Sequence, residues 1–346
     1  MVRFFIACIL LFCLPVISQA QSTPNSSSAK FQWKRVPQNP IIPAATGSLM
    51  ESMAGGPDVL LNGNTYYLYF HGQAGGHARI GAATVPRSKF DGVTWDLTVG
   101  RLIEMGGPGS WDETACLDPA TVMVKDRVFL YYTGVSSRPD RAICLAVSND
   151  GIHFTKYEKN PVTIGSTPEV VYYKNTFYLY FQRPVPGKES FQIYYATSQD
   201  GFHFTDPSLA PALPVGPEGS WDRFSVETPR IFSEGNLFYM VYCGSDRYKD
   251  SPWNAGLATS RDLVHWTKYA GNPIYSRGYP GTFDEGSICS PTVVKNNDRY
   301  YMFYQGFGGG KNRNEPYGSD LQGGRAQVGA ATLDAPYFFV RPDKKK

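Results

Sequence analysis

An all-β fold, a five-bladed β-propeller with four antiparallel strands per blade, is what this sequence predicts, on three observations. The first is composition: 23 tyrosines and 21 phenylalanines beside 35 glycines and 26 prolines in 346 residues describe short aromatic strands separated by tight turns. The second is a repeat. One strand type recurs five times, as YYLYFHG from Tyr66, VFLYYTG from Val128, FYLYFQR from Phe177, LFYMVYCG from Leu237 and YYMFYQG from Tyr300. The third is that no stretch carries a convincing 3.6-residue apolar period, so helices are expected to be few.

The elements of the repeat follow in order. The first strand of every unit opens at a proline: PDVLL at Pro57, PATVMV at Pro119, PEVVYY at Pro168, PRIFS at Pro229 and PTVVK at Pro291. A short polar turn leads to the aromatic strand. A small-residue strand comes next, as RIGAATV from Arg79, ICLAVS from Ile143, IYYATS from Ile193, AGLATS from Ala255 and VGAATL from Val328. The fourth element is shared by three units as NDGIHFTKY, QDGFHFTD and RDLVHWTKY, with FDGVTWDL its weaker counterpart in the first. The strand prolines stand 62, 49, 61 and 62 residues apart, the spacing of propeller blades rather than of sandwich hairpins. A lone four-stranded sheet cannot cover both faces, whereas five packed radially cover each other. A β-sandwich would also alternate, but would not return the same strand order five times.

At the N-terminus, Arg3, the apolar run FFIACILLFCLPVI and the small residues Ser18 and Ala20 read as a signal peptide over residues 1–20, which predicts a secreted or periplasmic protein. The run is shorter than the roughly 20 residues of a membrane span. Residues 21–33 read as a flexible lead-in, 34–342 as one propeller domain and 343–346 as a charged tail. A net charge of +3 with no internal basic cluster argues against nucleic acid or a membrane surface as partner. Cys116, Cys144, Cys243 and Cys289 fit no metal-site spacing, and both disulfides and buried free thiols are compatible with them.

Chemistry is expected where the first strands of a propeller begin, because side chains from distant sequence converge there around the channel; antiparallel geometry brings the ends of the second strands to the same mouth. The residues just before the five prolines are Gly56, Asp118, Thr167, Thr228 and Ser290; those just after are Asp58, Ala120, Glu169, Arg230 and Thr292; two before stand Gly55, Leu117, Ser166, Glu227 and Cys289. Asp118, Glu169 and Glu227 depart from the repeat in three successive units, and a purely structural need would use similar residues in each. Glycosidic cleavage in water requires a carboxylic acid to protonate the leaving oxygen and a carboxylate to activate water or attack the sugar. Asp112, Asp222 and Asp284, in GSWDETACLDP, GSWDRFSVETP and GTFDEGSICSP, instead recur seven residues before the proline. They are expected to bridge one blade to the next, while Trp111 and Trp221 beside them could stack on sugar faces. His153, His203 and His265 recur in the fourth element and are expected to pack blades.

In these motifs the chain resembles the five-bladed glycoside hydrolases of family 43, and the related families 32, 68, 117 and 130. Asp118-Pro119, Pro168-Glu169 and Glu227-Thr228-Pro229 stand in the order of the family 43 base, pKa modulator and acid. The resemblance implies an inverting hydrolase of poly- or oligosaccharides, with Asp118 as general base, Glu227 as general acid and Glu169 as modulator, the two working carboxyls about 6.5 to 9.5 Å apart. The triad starts in the second blade, not the first, and Glu169 replaces the usual aspartate. His71, Gln182, Gln305, Arg183, Arg230 and Arg247 are candidate sugar contacts, and the Gly306–Arg325 loop a pocket wall. No cofactor is expected; a structural calcium ion is the one metal the resemblance leaves open. A carbohydrate partner and a monomeric chain are expected. Family 130 suggests an alternative, a phosphorylase with Asp118 as proton donor and Lys311, Arg313 and Arg325 as phosphate donors. A non-catalytic sugar-binding propeller is the other.

Overall fold

The structure is a computed structural model that describes residues 31–45, 47–185, 187–188, 190–206, 210–247, 254–308, 325–335 and 338. Almost all regular structure among them is β, with a single 3-10 turn at Arg87–Lys89. The strands Met53–Asn62, Ala115–Val124, Ser166–Tyr173, Ser225–Glu234 and Ser287–Asn296 open five units. Each pairs antiparallel with the aromatic strand that follows it, and that strand with the small-residue strand. The sheets hold eight, five, three and five strands, the largest uniting the fifth and first units through a parallel contact of Met53 with Ala326. The opening strands pack on one another in sequence order, and that of the fifth unit on that of the first.

The core lies between units rather than inside them. Tyr69 and Ile80 pack with Leu130 and Tyr132; Phe129 and Tyr131 with Phe177 and Phe181; Tyr180 and Ile193 with Met240 and Tyr242; Tyr239 and Val241 with Tyr300 and Met302; Tyr66 and Phe70 with Tyr301 and Phe303. Alternation along each aromatic strand thus sends successive rings to opposite neighbours. Burying one such side chain contributes about 1.5–3 kcal/mol.

Three tyrosines add directional bonds between units: Tyr69, Tyr131 and Tyr180 donate their hydroxyls to the carbonyls of Gly151, Gly201 and Leu263. Those carbonyls belong to the turns that carry His153, His203 and His265. The histidines themselves, expected to pack blades, are exposed and pair with Asp150, Asp200 and Asp262 three residues before. The packing role falls to the turn backbone because the imidazoles point outward.

The lead-in reading of residues 21–33 is corrected at its end. Phe31 is buried against Tyr269 and Phe338, and Trp33 packs on the same cluster. The strand Lys34–Arg35 then pairs with Arg325–Asp334, placing Arg35 opposite Ala331, just as Lys156 stands opposite Ala146 and Lys268 opposite Ala258. Asn39-Pro40, Asn160-Pro161 and Asn272-Pro273 follow in equivalent places. The N-terminal segment therefore supplies the fifth unit's outer strand. Residues 1–30 and 339–346, with the expected signal peptide and charged tail, lie outside the described residues. Cys116, Cys144 and Cys243 are free and buried, and Cys289 is half-buried.

Candidate active site

The five opening strands share a backbone device at their prolines. Gly56, Asp118, Thr167, Thr228 and Ser290 all have φ between 48° and 57°, and the pairing register shifts at each. A non-glycine residue in this left-handed region costs about 1–3 kcal/mol and persists only where the surroundings over-determine it. Here each bulge N–H is met from the preceding unit: Gly56 N donates to Gln305 Oε1 at 3.0 Å, Asp118 N to His71 Nδ1 at 3.1 Å, Thr167 N to Thr133 Oγ1 at 2.8 Å and Thr228 N to Gln182 Oε1 at 3.1 Å. Ser290 N donates to Thr228 Oγ1 at 3.2 Å and faces the Cys243 thiol. His71, Thr133, Gln182, Cys243 and Gln305 occupy one register position, opposite the residue two before each proline. The first unit requires Gly55 and Gly56: a Cβ on Gly55 would lie 1.9 Å from Gln305 Oε1, and one on Gly56 2.8 Å from His71 Nδ1.

Asp118 and Glu227 line one cavity of about 420 Å³ with His71, Gln182 and Gln305, a volume in the range of small-molecule sites. Asp118 is 8% exposed and Glu227 1%. The Asp118 carboxylate accepts a bond from Thr133 Oγ1 at 3.4 Å, and its Oδ1 lies 3.6 Å from His71 Nδ1. His71 accepts at Nδ1, so its proton sits on Nε2. Burial lowers its pKa despite the nearby Asp118, which keeps the ring neutral beside the carboxylate. Ser225 Oγ donates to Glu227 Oε1 and accepts from Phe191 N at 3.2 Å. Among the described residues the remaining wall is uncharged save for the exposed Arg141.

Glu169 and Arg230 are not on that wall. They lie in the layer after the prolines, where Arg230, 2% exposed, donates to the carbonyls of Pro168 at 2.7 Å and Pro119 at 3.2 Å and to Glu169 Oε2 at 3.4 Å. Glu169 Oε1 accepts from Ile231 N at 2.9 Å. Asp58 completes the layer, accepting from Thr121 N and Oγ1. Burial raises the Glu169 pKa to about 8, opposed by Arg230 and assisted by Asp58; burial raises that of Asp58 too, again against Arg230. Two buried carboxylates share one guanidinium, so one of them favours its proton. Arg230, expected as a sugar contact, therefore lies in this buried layer and not among the cavity-lining residues.

The other expected sugar contacts lie elsewhere. Trp221 stacks on Tyr242 within the core, and Trp111 carries Arg138 over its ring; neither is among the cavity-lining residues. Arg183 bonds Ile164 O and Asp206, and Arg247 bonds Asp246 beside a separate groove. Lys311, Arg313 and most of the Gly306–Arg325 loop lie outside the described residues, and Arg325 lines a different hollow with Arg35. Asp112, Asp222 and Asp284 do not bridge blades: each pins its loop to the unit it enters, bonding Tyr132 and Lys156, Tyr242 and Lys268, and Tyr304 and Arg35. Sequence reasoning missed Thr133, Ser225 and Arg141. Thr133 was findable as the second-unit counterpart of His71. Among the described residues no group of three or more His, Cys, Asp or Glu is arranged to hold a metal ion.

Comparison with known proteins adds to this geometry. Residues 160–305 match the family model described as β-1,4-mannooligosaccharide phosphorylase, glycoside hydrolase family 130. An uncharacterized protein of Mycobacterium tuberculosis is 23% identical over 270 residues, covering 72% of this chain and 87% of that protein. A thermostable family-43 glycoside hydrolase superposes with a TM-score of 0.62 at 19% identity, covering 85% of this chain and 97% of that one. The chain has a glycoside-hydrolase-like fold. A β-1,2-mannobiose phosphorylase of Listeria innocua, in complex with β-1,2-mannobiose, shares it at a TM-score of 0.63 and 13% identity, covering 88% of this chain and 97% of that one. The family match supports a carbohydrate-active enzyme, within which hydrolases and phosphorylases share this architecture.

Proposed function

We propose that this chain is an exported, closed five-bladed propeller that hydrolyses glycosidic bonds with inversion, Glu227 acting as general acid and Asp118 as general base. The observation that carries the reading is the single cavity lined by both carboxylates. The interlocked bulges and the packing of the fifth unit on the first support the closed propeller, and the N-terminal apolar run supports export. Glu227, the more deeply buried, protonates the glycosidic oxygen as the bond breaks; Asp118 takes a proton from water attacking the opposite face. His71, with its proton on Nε2, and the amides of Gln182 and Gln305 are free to donate to sugar hydroxyls while their acceptor atoms hold the bulges. Glu169 acts on the strand that carries Glu227 through Ile231 N, not on the sugar.

Phosphorolysis is the second reading, favoured by the family match. A phosphorylase needs a cradle of cationic or N–H donors for phosphate, and Arg141 is the one charged donor on the described wall. The deciding experiment incubates the protein with 4-nitrophenyl β-mannoside, α-L-arabinofuranoside and β-xyloside, and with β-1,2- and β-1,4-mannobiose, with and without phosphate, and follows the first anomer by NMR. Hydrolysis predicts phosphate-independent release of the inverted sugar. Formation of a sugar 1-phosphate assigns phosphorolysis instead, and retention of configuration removes Asp118 as base.

A further inference from the structure

We infer that Arg230 is a positioning residue that sets the separation of Asp118 and Glu227, acting as a strut across the channel between the strands that carry them. The inference rests on the acid–base reading above and concerns how its geometry is held.

Arg230 stands three residues after Glu227 on the strand Ser225–Glu234, on the far side of the register shift at Thr228 and Pro229. Its guanidinium crosses the channel to the carbonyl of Pro119, the residue after Asp118, 111 positions away in sequence. One side chain is therefore joined covalently to the strand of the acid and by a hydrogen bond to the strand of the base. Its other terminal nitrogen bonds the Pro168 carbonyl, so the bulges of the second and third units are tied to the fourth at one point. The planar guanidinium presents its donors in a fixed fork, which a flexible ammonium would not reproduce. Glu169 and Asp58 compensate the charge.

Two observations separate this from ordinary packing. The equivalent positions in the other units carry Asp58, Ala120, Glu169 and Thr292, so the strut is not part of the repeat that builds the fold. Among the described residues the Arg230 Nε also meets no acceptor although it is buried. The Asp118 backbone is then held on both sides, by His71 at its N–H and by Arg230 at the next carbonyl, around a left-handed conformation. An inverting pair works only at a separation that admits one water, and a misplacement of about 1 Å can cost ~10²-fold.

The test uses the full chain and whichever glycoside of the panel above it cleaves. Arg230→Ala is expected to lower kcat about 10²-fold with KM changed less than about threefold, and added guanidinium ion to restore at least about tenfold of that loss. Arg230→Lys, which keeps the charge, is expected to fold with near-normal thermal stability and still lose most of kcat. Asp118→Asn is measured alongside. Normal kcat in folded Arg230→Lys, a rise in KM with kcat unchanged, or a loss of rate that only mirrors the loss of folded protein would each overturn the strut. Turnover retained by Asp118→Asn would instead remove the acid–base reading, whatever the Arg230 variants do.

Discussion

Two layers of the opening strands, before and after each proline, are built on opposite principles. The layer before the prolines repeats its left-handed bulge in all five units and the same bond from the preceding unit in four of them, and lets two side chains depart from the pattern, Asp118 and Glu227. Both open onto the cavity. The layer after the prolines repeats nothing: Asp58, Glu169 and Arg230 come from three units and compensate one another out of reach of the cavity. A repeated backbone can thus hold chemistry steady while single side chains vary. A charge that departs from the repeat but is compensated within a buried layer serves the frame instead.

The largest effect expected is in the first layer. Asp118→Asn and Glu227→Gln are each expected to lower kcat by about 10³-fold, within the range of a general acid or base, with little change in melting temperature; steady-state kinetics beside thermal unfolding checks both. A fall in stability as large as the fall in rate would erase the distinction between the layers. His71→Ala is next, because it leaves the Asp118 N–H without its acceptor. A loss of about 1–3 kcal/mol is expected in urea unfolding, the cost of a buried unmet donor, together with a fall in kcat. Sound stability in that variant would show that the bulge does not depend on the interlocking bonds.

The second layer predicts a pH dependence. Glu169 has a folded-state pKa of about 8, above its ordinary 4.5, so the native state binds this proton more tightly than the unfolded chain. Its contribution to stability is complete below pH 4.5 and is lost as pH rises through about 8. Urea midpoints measured from pH 5 to 9 are expected to fall with rising pH in the parent protein, and to fall less in Glu169→Gln. Identical slopes would show that Arg230 holds Glu169 ionised throughout. The smallest effect belongs to the rim: His153→Ala, at an exposed site, is expected to change stability by less than about 0.5 kcal/mol and to leave kcat unchanged.

Much of the fold was legible because strand repeats are local: the five aromatic strands, their opening prolines and their small-residue partners all appear where the periodicity puts them. The outer strand of the fifth unit was not, since it lies at the other end of the chain; the shared Asn-Pro after Arg35, Lys156 and Lys268 was its one signal. The carboxylates of the cavity were legible as exceptions within the repeat. Arg230 and Glu169 were equally visible as exceptions, yet the structure puts them in a different layer from the cavity wall, because the bulge at each proline shifts the register between the residues before and after it and re-aims the side chains that follow.

By itself the sequence determined which residues recur and which do not, and so the strand order, the inter-unit aromatic core and the pair Asp118 and Glu227 as candidates, since each follows from alternation and repetition along the chain. Only the tertiary structure decided which exceptions share a cavity, that Arg35 closes the last unit, and that Arg230 spans from the strand of Glu227 to that of Asp118. Those are contacts between residues 60 to 250 positions apart, and no local preference of the backbone encodes which distant strands will pack together.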